Sequence, residues 1–155
     1  MKRFLVAIDL WDETNRVLEY AKKLATEFDG KLCVVHSETP ESYIPSYDTE
    51  FEPELSINNM EIMKSHEKMI KHRFDKIKAD LKNDNIESAF VLMEGSTAKN
   101  ILKEVKEFNA DLIIIGSHKH GRFYNLIFGG VHDVLINRSN IPIFIIPAEN
   151  KENDK

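Results

Sequence analysis

The chain of 155 residues carries a single cysteine, Cys33, a single tryptophan, six glycines and five prolines. One cysteine excludes an internal disulfide framework, and its apolar neighbours Leu32, Val34 and Val35 predict a buried, inert thiol. Long apolar runs are missing too. Leu112 to Ile115 and Ile141 to Ile146 fall far short of the roughly 20 residues that a membrane helix needs. No long basic tract is present, and Lys+Arg number 21 against Asp+Glu 26, a formal net charge of -5. That balance argues against a nucleic-acid partner, whose phosphates call for clustered cations. The amino end, Met1-Lys2-Arg3 followed by Phe4 to Ile8, breaks at Asp9 before it forms the apolar segment of a secretory signal, and no small-residue cleavage site follows. Export is not expected, and with the lone thiol this predicts a cytoplasmic location.

What is present suits one compact domain: 42% of the residues are hydrophobic and 30% charged. No internal repeat and no linker marks a second domain, so we expect one unit over residues 1–148 and a charged, frayed tail at 149–155. Short β-branched and aromatic runs alternate with stretches that repeat apolar residues every three or four positions. The runs predict strands at Arg3 to Asp9, Lys31 to Ser37, Glu87 to Met93, Asp111 to Gly116 and Ile141 to Ile146. Between them, Thr14 to Phe28 places Val17, Ala21, Leu24, Ala25 and Phe28 on one helical stripe, with Asp29-Gly30 as the stop. Glu54 to Lys82 keeps Met60, Met63, Ile70, Phe74, Ile77 and Leu81 at helical spacing. Gly95-Ser96-Thr97 reads as a turn and cap before a helix with Ile101, Leu102, Val105 and Phe108 inward; Val131, Val134 and Leu135 mark a shorter helix ending near Asn137. The class is α/β, a five-stranded parallel sheet with helices on both faces. The run Leu112-Ile113-Ile114-Ile115 does not alternate, as befits a central strand covered on both sides.

Two stretches interrupt this order. Glu38 to Pro53 contains Pro40, Pro45 and Pro53 with Tyr43, Tyr47 and Phe51, which argues against regular structure. It reads either as a lid or as a solvated loop whose aromatics pack on the domain's own surface. Ser117 to Phe128 is the other.

Ligands of open parallel sheets sit beyond the carboxyl ends of the strands, where the strand order reverses and adjacent loops diverge. Here those ends are Asp9, His36-Ser37, Met93-Glu94 and Gly116-Ser117, the last followed by His118-Lys119-His120-Gly121-Arg122. That segment leads to Gly129-Gly130 directly ahead of a helix, so unhindered backbone N–H groups and a positive helix end can meet an anion together. A phosphate would suit the place. It is not a P-loop, since Arg122 and Phe123 stand where Lys and Ser/Thr are required, and no G-x-G-x-x-G fingerprint occurs. A receiver-type site lacks its aspartate at the end of strand three and its lysine after strand five. His118, His120 and His132 with Asp133 suggest a metal site, but the His118-x-His120 pair lacks a third ligand at established zinc spacing, so none is expected. Ser117 beside His118 lacks a nucleophile elbow, so no catalytic residue is assigned. Asn137-Arg138-Ser139 spells a glycosylation acceptor that matters only to exported chains.

Val6-Ala7-Ile8-Asp9, Glu94-Gly95, Ala110 to His118 and Pro142 to Pro147 together resemble the universal stress proteins of the UspA family, nearly end to end. The resemblance implies a Rossmann-type nucleotide-binding α/β sandwich. Nucleotide-binding members carry the phosphate signature G-x2-G-x9-G-[S/T], which falls here on Gly116, residue 119, Gly129 and residue 130. Two positions depart: Lys119 replaces the second glycine and Gly130 replaces the Ser/Thr. A non-glycine residue in a left-handed turn costs on the order of 1 kcal/mol, and a lost hydroxyl donor roughly 0.5–1.5 kcal/mol. These departures weaken a phosphate site without abolishing it, and the Lys119 ammonium can still pair with a triphosphate.

By resemblance, Ala7, Asp9 and the Val35-His36 end of strand two border adenine and ribose, with Asp9 the partner for ribose hydroxyls or a phosphate-bound magnesium. Gly116, Ser117, Gly129, Gly130 and Val131 then offer main-chain groups to the phosphates, and Lys119 and Arg122 supply charge. Leu10 and Trp11 stand where the family has small residues, which predicts crowding on the adenine side. The expected ligand is ATP, with magnesium, bound with little or no turnover. The alternative is a nucleotide-free interaction module that recognises another protein. The fifth strand, with Ile141, Ile143 and Ile145, is apolar and expected at a sheet edge, which predicts a homodimer through it.

Overall fold

The computed structural model describes residues 1–10, 14–38, 55–117 and 130–147. Trp11, most of the proline and aromatic stretch, the segment from His118 to Gly129 and the tail at 149–155 lie outside them. In chain order the elements are β1 (Arg3–Ala7), α1 (Thr14–Glu27), β2 (Lys31–Glu38), α2 (Leu55–Asn83), β3 (Ser88–Glu94), α3 (Thr97–Phe108), β4 (Leu112–Ser117), α4 (Val131–Arg138) and β5 (Ile143–Pro147). The strands form one sheet in the order β3-β2-β1-β4-β5, with every neighbouring pair parallel.

Strand alternation divides the core into two layers. Phe4, Val6, Ile8, Leu32, Val34 and Ile114 pack beneath Val17, Leu18, Ala21 and Ala25 of α1 and Ile70, Ile77 and Leu81 of α2. Leu5, Cys33, Val35, Ile113 and Ile115 face the opposite way, under Ile101 of α3 and Leu135 of α4. β4 is buried along Ile113 to Gly116, the double-sided burial expected of its unalternating run. β5 lies at the sheet edge, with Phe144 and Ile145 exposed.

Several sequence expectations are corrected by packing. β1 ends at Ala7 rather than Asp9, and β5 begins at Ile143 rather than Ile141, since ladder pairing stops at those residues. Phe28 lies past the last turn of α1 and is 57% exposed, its ring resting edge-on against Phe4 at 6.4 Å. The turn there is taken by Asp29 at φ 45°, while Gly30 is needed for space: a Cβ would come within 2.6 Å of the Phe4 ring. Met60 and Met63 are exposed rather than buried. α2 has 29 residues, about 44 Å at 1.5 Å per residue, against strands of five to eight residues. Its amino-terminal turns therefore overhang the sheet. Ser96 is the N-cap residue of α3, as predicted, but its hydroxyl makes no capping bond.

Candidate site at the tips of β1 and β4

β1 is flanked by β2, which leads toward β3, and by β4, which leads toward β5, so the strand order reverses between β1 and β4. A crevice belongs at the carboxyl ends of these two strands. The ladders place Val35, Ala7 and Ile115 side by side across β2, β1 and β4, all on the α3/α4 face. Ala7 is the small member of this apolar row. Val35 and Ile115 are buried, and Ala7 is the partly exposed member of the row. Asp9 follows β1, partly exposed at the tip.

The expectation that Leu10 crowds the adenine side is overturned. Leu10 adopts φ 65° and its side chain is buried, 3% exposed, in the layer beneath α1 and α2, away from the apolar row. A left-handed leucine costs roughly 1–2 kcal/mol, and burying its side chain returns about that much. His36 is also displaced from its expected place. It follows Val35 on a strand and so points to the opposite face, under α2.

The expected phosphate end falls on β4 and the start of α4. Gly116 is buried in the ladder opposite Ile146, and a Cβ on it would lie 3.0 Å from Val17 Cγ2 of α1. Glycine here lets α1 approach the sheet. The Gly116 carbonyl accepts a hydrogen bond from His132 Nε2 in the first turn of α4, at 3.1 Å, which fixes the helix start beside the β4 tip. Gly130 is the N-cap residue of α4, buried, at φ -91° and ψ -168°. The backbone N–H groups of Val131, His132 and Asp133 then open the helix, three donors that no turn of α4 precedes. The positive end of the helix dipole is offset in part by Asp133 in that first turn.

Of the residues named from the sequence, the structure thus brings Ala7, Val35, Gly116, Ser117, Gly130 and Val131 to one end of the sheet, with Asp9 beside them. Lys119, Gly129, Arg122, His118 and His120 lie outside the described residues. Among the described residues, no group of three His, Cys, Asp or Glu is arranged to hold a metal ion, and no helix is long and apolar enough to cross a membrane.

Two buried polar clusters were not anticipated. Cys33, buried as predicted, donates its thiol to Glu104 Oε1 of α3 at 3.6 Å. Burial first, then the Glu104 charge and that hydrogen bond, push the thiol up to about 12. On the opposite face, Glu38 Oε1 lies 2.9 Å from both His36 Nε2 and His66 Nε2, and His36 Nδ1 donates to the Ile8 carbonyl at 2.9 Å. His36 and Glu38 stand two apart on a strand, a spacing that puts both on one face. That signal was available; the arrival of His66 from α2 was not.

Comparison with known proteins agrees with this fold. The sequence model of the universal stress protein family matches residues 1–147. The stress response protein NhaX of Bacillus subtilis is 27% identical, the match spanning 93% of this chain and 96% of that protein. The solved structure of MJ0577, a universal stress protein of Methanocaldococcus jannaschii, superposes with a TM-score of 0.76 at 19% identity, covering 96% of this chain and 97% of that one. A universal stress family protein from Arabidopsis thaliana, solved with AMP bound, gives a TM-score of 0.67 at 16% identity, covering 98% and 95%. With the five-stranded order, the switch point and the whole-length match in agreement, this chain belongs to the universal stress protein family.

Proposed function

We propose that this protein binds an adenine nucleotide, ATP with magnesium, at the tips of β1 and β4, and acts through its bound state with little or no turnover. The observation that carries this reading is the convergence of two unlike half-sites at one switch point. The apolar row of Val35, Ala7 and Ile115 ends here, with the partly exposed Ala7 as the place for a base, and Gly130 with the opening amides of α4 offers donors for phosphate. The AMP-bound relative supports the choice of an adenine ligand. Asp9, at the end of β1, is the side chain for ribose hydroxyls or for magnesium already held by the phosphates. Gly116 and Ser117 lie between the two halves, and Lys119, Gly129 and Arg122 complete the phosphate end in this reading. Binding without turnover fits a site with no assigned base or nucleophile. A cytoplasmic location belongs to the same reading, supported by the unpaired, buried Cys33. Ultraviolet absorbance and mass spectrometry of small molecules released from the purified protein test it directly: a stoichiometric adenine nucleotide supports the proposal.

Self-association through β5 is the second part of the proposal. Phe144 and Ile145 are 39% and 38% exposed on a terminal strand, and Ile136 of α4 is 57% exposed. An apolar, unpaired edge of this kind is a liability that a second copy covers. Ile141, Ile143 and Ile145 would form the seam of a symmetric homodimer, and a protein partner on the same edge is the alternative occupant.

A further inference from the structure

The hydrogen bonds around His36 impose a proton count. The Ile8 carbonyl accepts only, so Nδ1 of His36 must carry a hydrogen to bond it at 2.9 Å. The other ring nitrogen, Nε2, lies 2.9 Å from Glu38 Oε1. With Nδ1 protonated, a neutral ring presents a bare lone pair at Nε2, and an ionised carboxylate presents another. The contact therefore needs one more proton, either on His36 as imidazolium or on Glu38 as carboxylic acid. His66 Nε2 lies 2.9 Å from the same oxygen and ties α2 to the cluster. His36 and Glu38 are 6% and 8% exposed, so an unmatched contact between them is costly. The Phe74 ring packs edge-on against His36 at 6.2 Å and closes the other side.

The charged surroundings are mixed. Glu94 of β3 is the ladder partner of Glu38, Glu61 lines an open groove beside His66 with Ile62, Ser65 and Met69, and Arg73 lies two turns beyond His66 on the same side of α2. His66, partly exposed, gives solvent a route to the cluster.

The Ile8 carbonyl and the Asp9 amide are one peptide unit, rigid and planar. We infer that His36 is a positioning residue: holding one proton in common with Glu38, and braced by His66, it sets the orientation of the Ile8–Asp9 peptide at the nucleoside end of the cleft. Loss of that proton leaves two lone pairs facing each other at Nε2 and Oε1, or makes the ring surrender Ile8. The first alternative strains the cluster, and the second frees the Ile8 carbonyl on the side remote from the ligand. The link to affinity rests on the nucleotide reading above, whereas the proton count and its effect on Asp9 do not.

The test is a pH titration of the isotope-labelled protein, following the His36 ring nitrogens and the Asp9 amide by NMR, with ATP affinity measured across the same range. The proposal expects a protonated Nδ1 at pH 7. It also expects the Asp9 amide to shift with the same midpoint as the His36–Glu38 pair, and ATP affinity to fall about five-fold as the proton leaves, the worth of one hydrogen bond. Glu38→Gln is expected to alter the ring's protonation and displace the Asp9 amide at pH 7. A bare Nδ1 at pH 7, or an Asp9 amide indifferent to the titration, overturns the inference even if ATP binds. An Asp9 amide that tracks the ring in a protein that binds no ATP upholds the positioning role and removes only the nucleotide reading. ATP affinity that stays constant while the Asp9 amide moves overturns the link between the two.

Discussion

Val17 of α1 stands so close above Gly116 of β4 that a Cβ on the glycine would sit 3.0 Å from Val17 Cγ2. The glycine that heads the phosphate signature therefore also serves packing, on the face of the sheet opposite the proposed ligand. Gly116→Ala should destabilise the fold by about 1–3 kcal/mol through overpacking. The double variant with Val17→Ala should recover roughly 1 kcal/mol relative to the sum of the single changes. Denaturant unfolding of the four proteins checks this. Strict additivity would mean that the two side chains do not meet.

That dual use marks where sequence reading succeeds and where it stops. The β4 run Leu112 to Ile115 announces a strand buried on both faces because no position on it is polar, and the structure buries Ile113 to Gly116. Ala7 and Val35 could be placed at neighbouring strand ends from order alone, since a parallel sheet aligns those ends. The side on which Leu10 lands depends on a single left-handed residue, which no periodicity reveals. Met60 and Met63 keep the helical stripe but lie beyond the sheet that would cover them, so periodicity predicts the face and not the partner. His66 meets Glu38 across 28 residues of sequence. Contacts of that kind are set by how α2 crosses the sheet.

Cys33 yields a prediction of opposite character, about chemistry the fold suppresses. Its thiol is raised from an ordinary 9.0 to about 12, so the folded chain keeps a proton that the unfolded chain releases. Stability from this group is complete below pH 9 and declines as pH climbs from there toward 12, at on the order of 1.4 kcal/mol per pH unit. Cys33→Ala should show a shallower loss over that window. The native protein at pH 8 should resist a thiol-specific reagent until it is unfolded, and fast labelling of the folded chain would contradict the assignment.

The β5 edge predicts mass. Light scattering at micromolar concentration should give a dimer, and Ile145→Lys should give a monomer, because the ammonium would have to be desolvated in the seam. As Ile145 is 38% exposed, folding stability should change by no more than about 0.5 kcal/mol. A native monomer at that concentration would remove the dimer from the proposal.

Gly130 predicts a gain. Its backbone, at φ -91° and ψ -168°, is extended and open to any L residue, so serine can enter without backbone strain. Gly130→Ser should supply the hydroxyl missing from the phosphate signature and tighten ATP binding by roughly two-fold to ten-fold, the value of one neutral hydrogen bond. Its effect on α4 as a cap should be only a few tenths of a kcal/mol. Unchanged affinity would place the phosphates away from the start of α4.

The central claim is a nucleotide held between the apolar row at Ala7 and the opening amides of α4. Calorimetric titration of the purified protein with ATP and magnesium tests it most directly. The account predicts saturable binding in the micromolar range with one nucleotide per chain; absence of binding at millimolar ligand would contradict it.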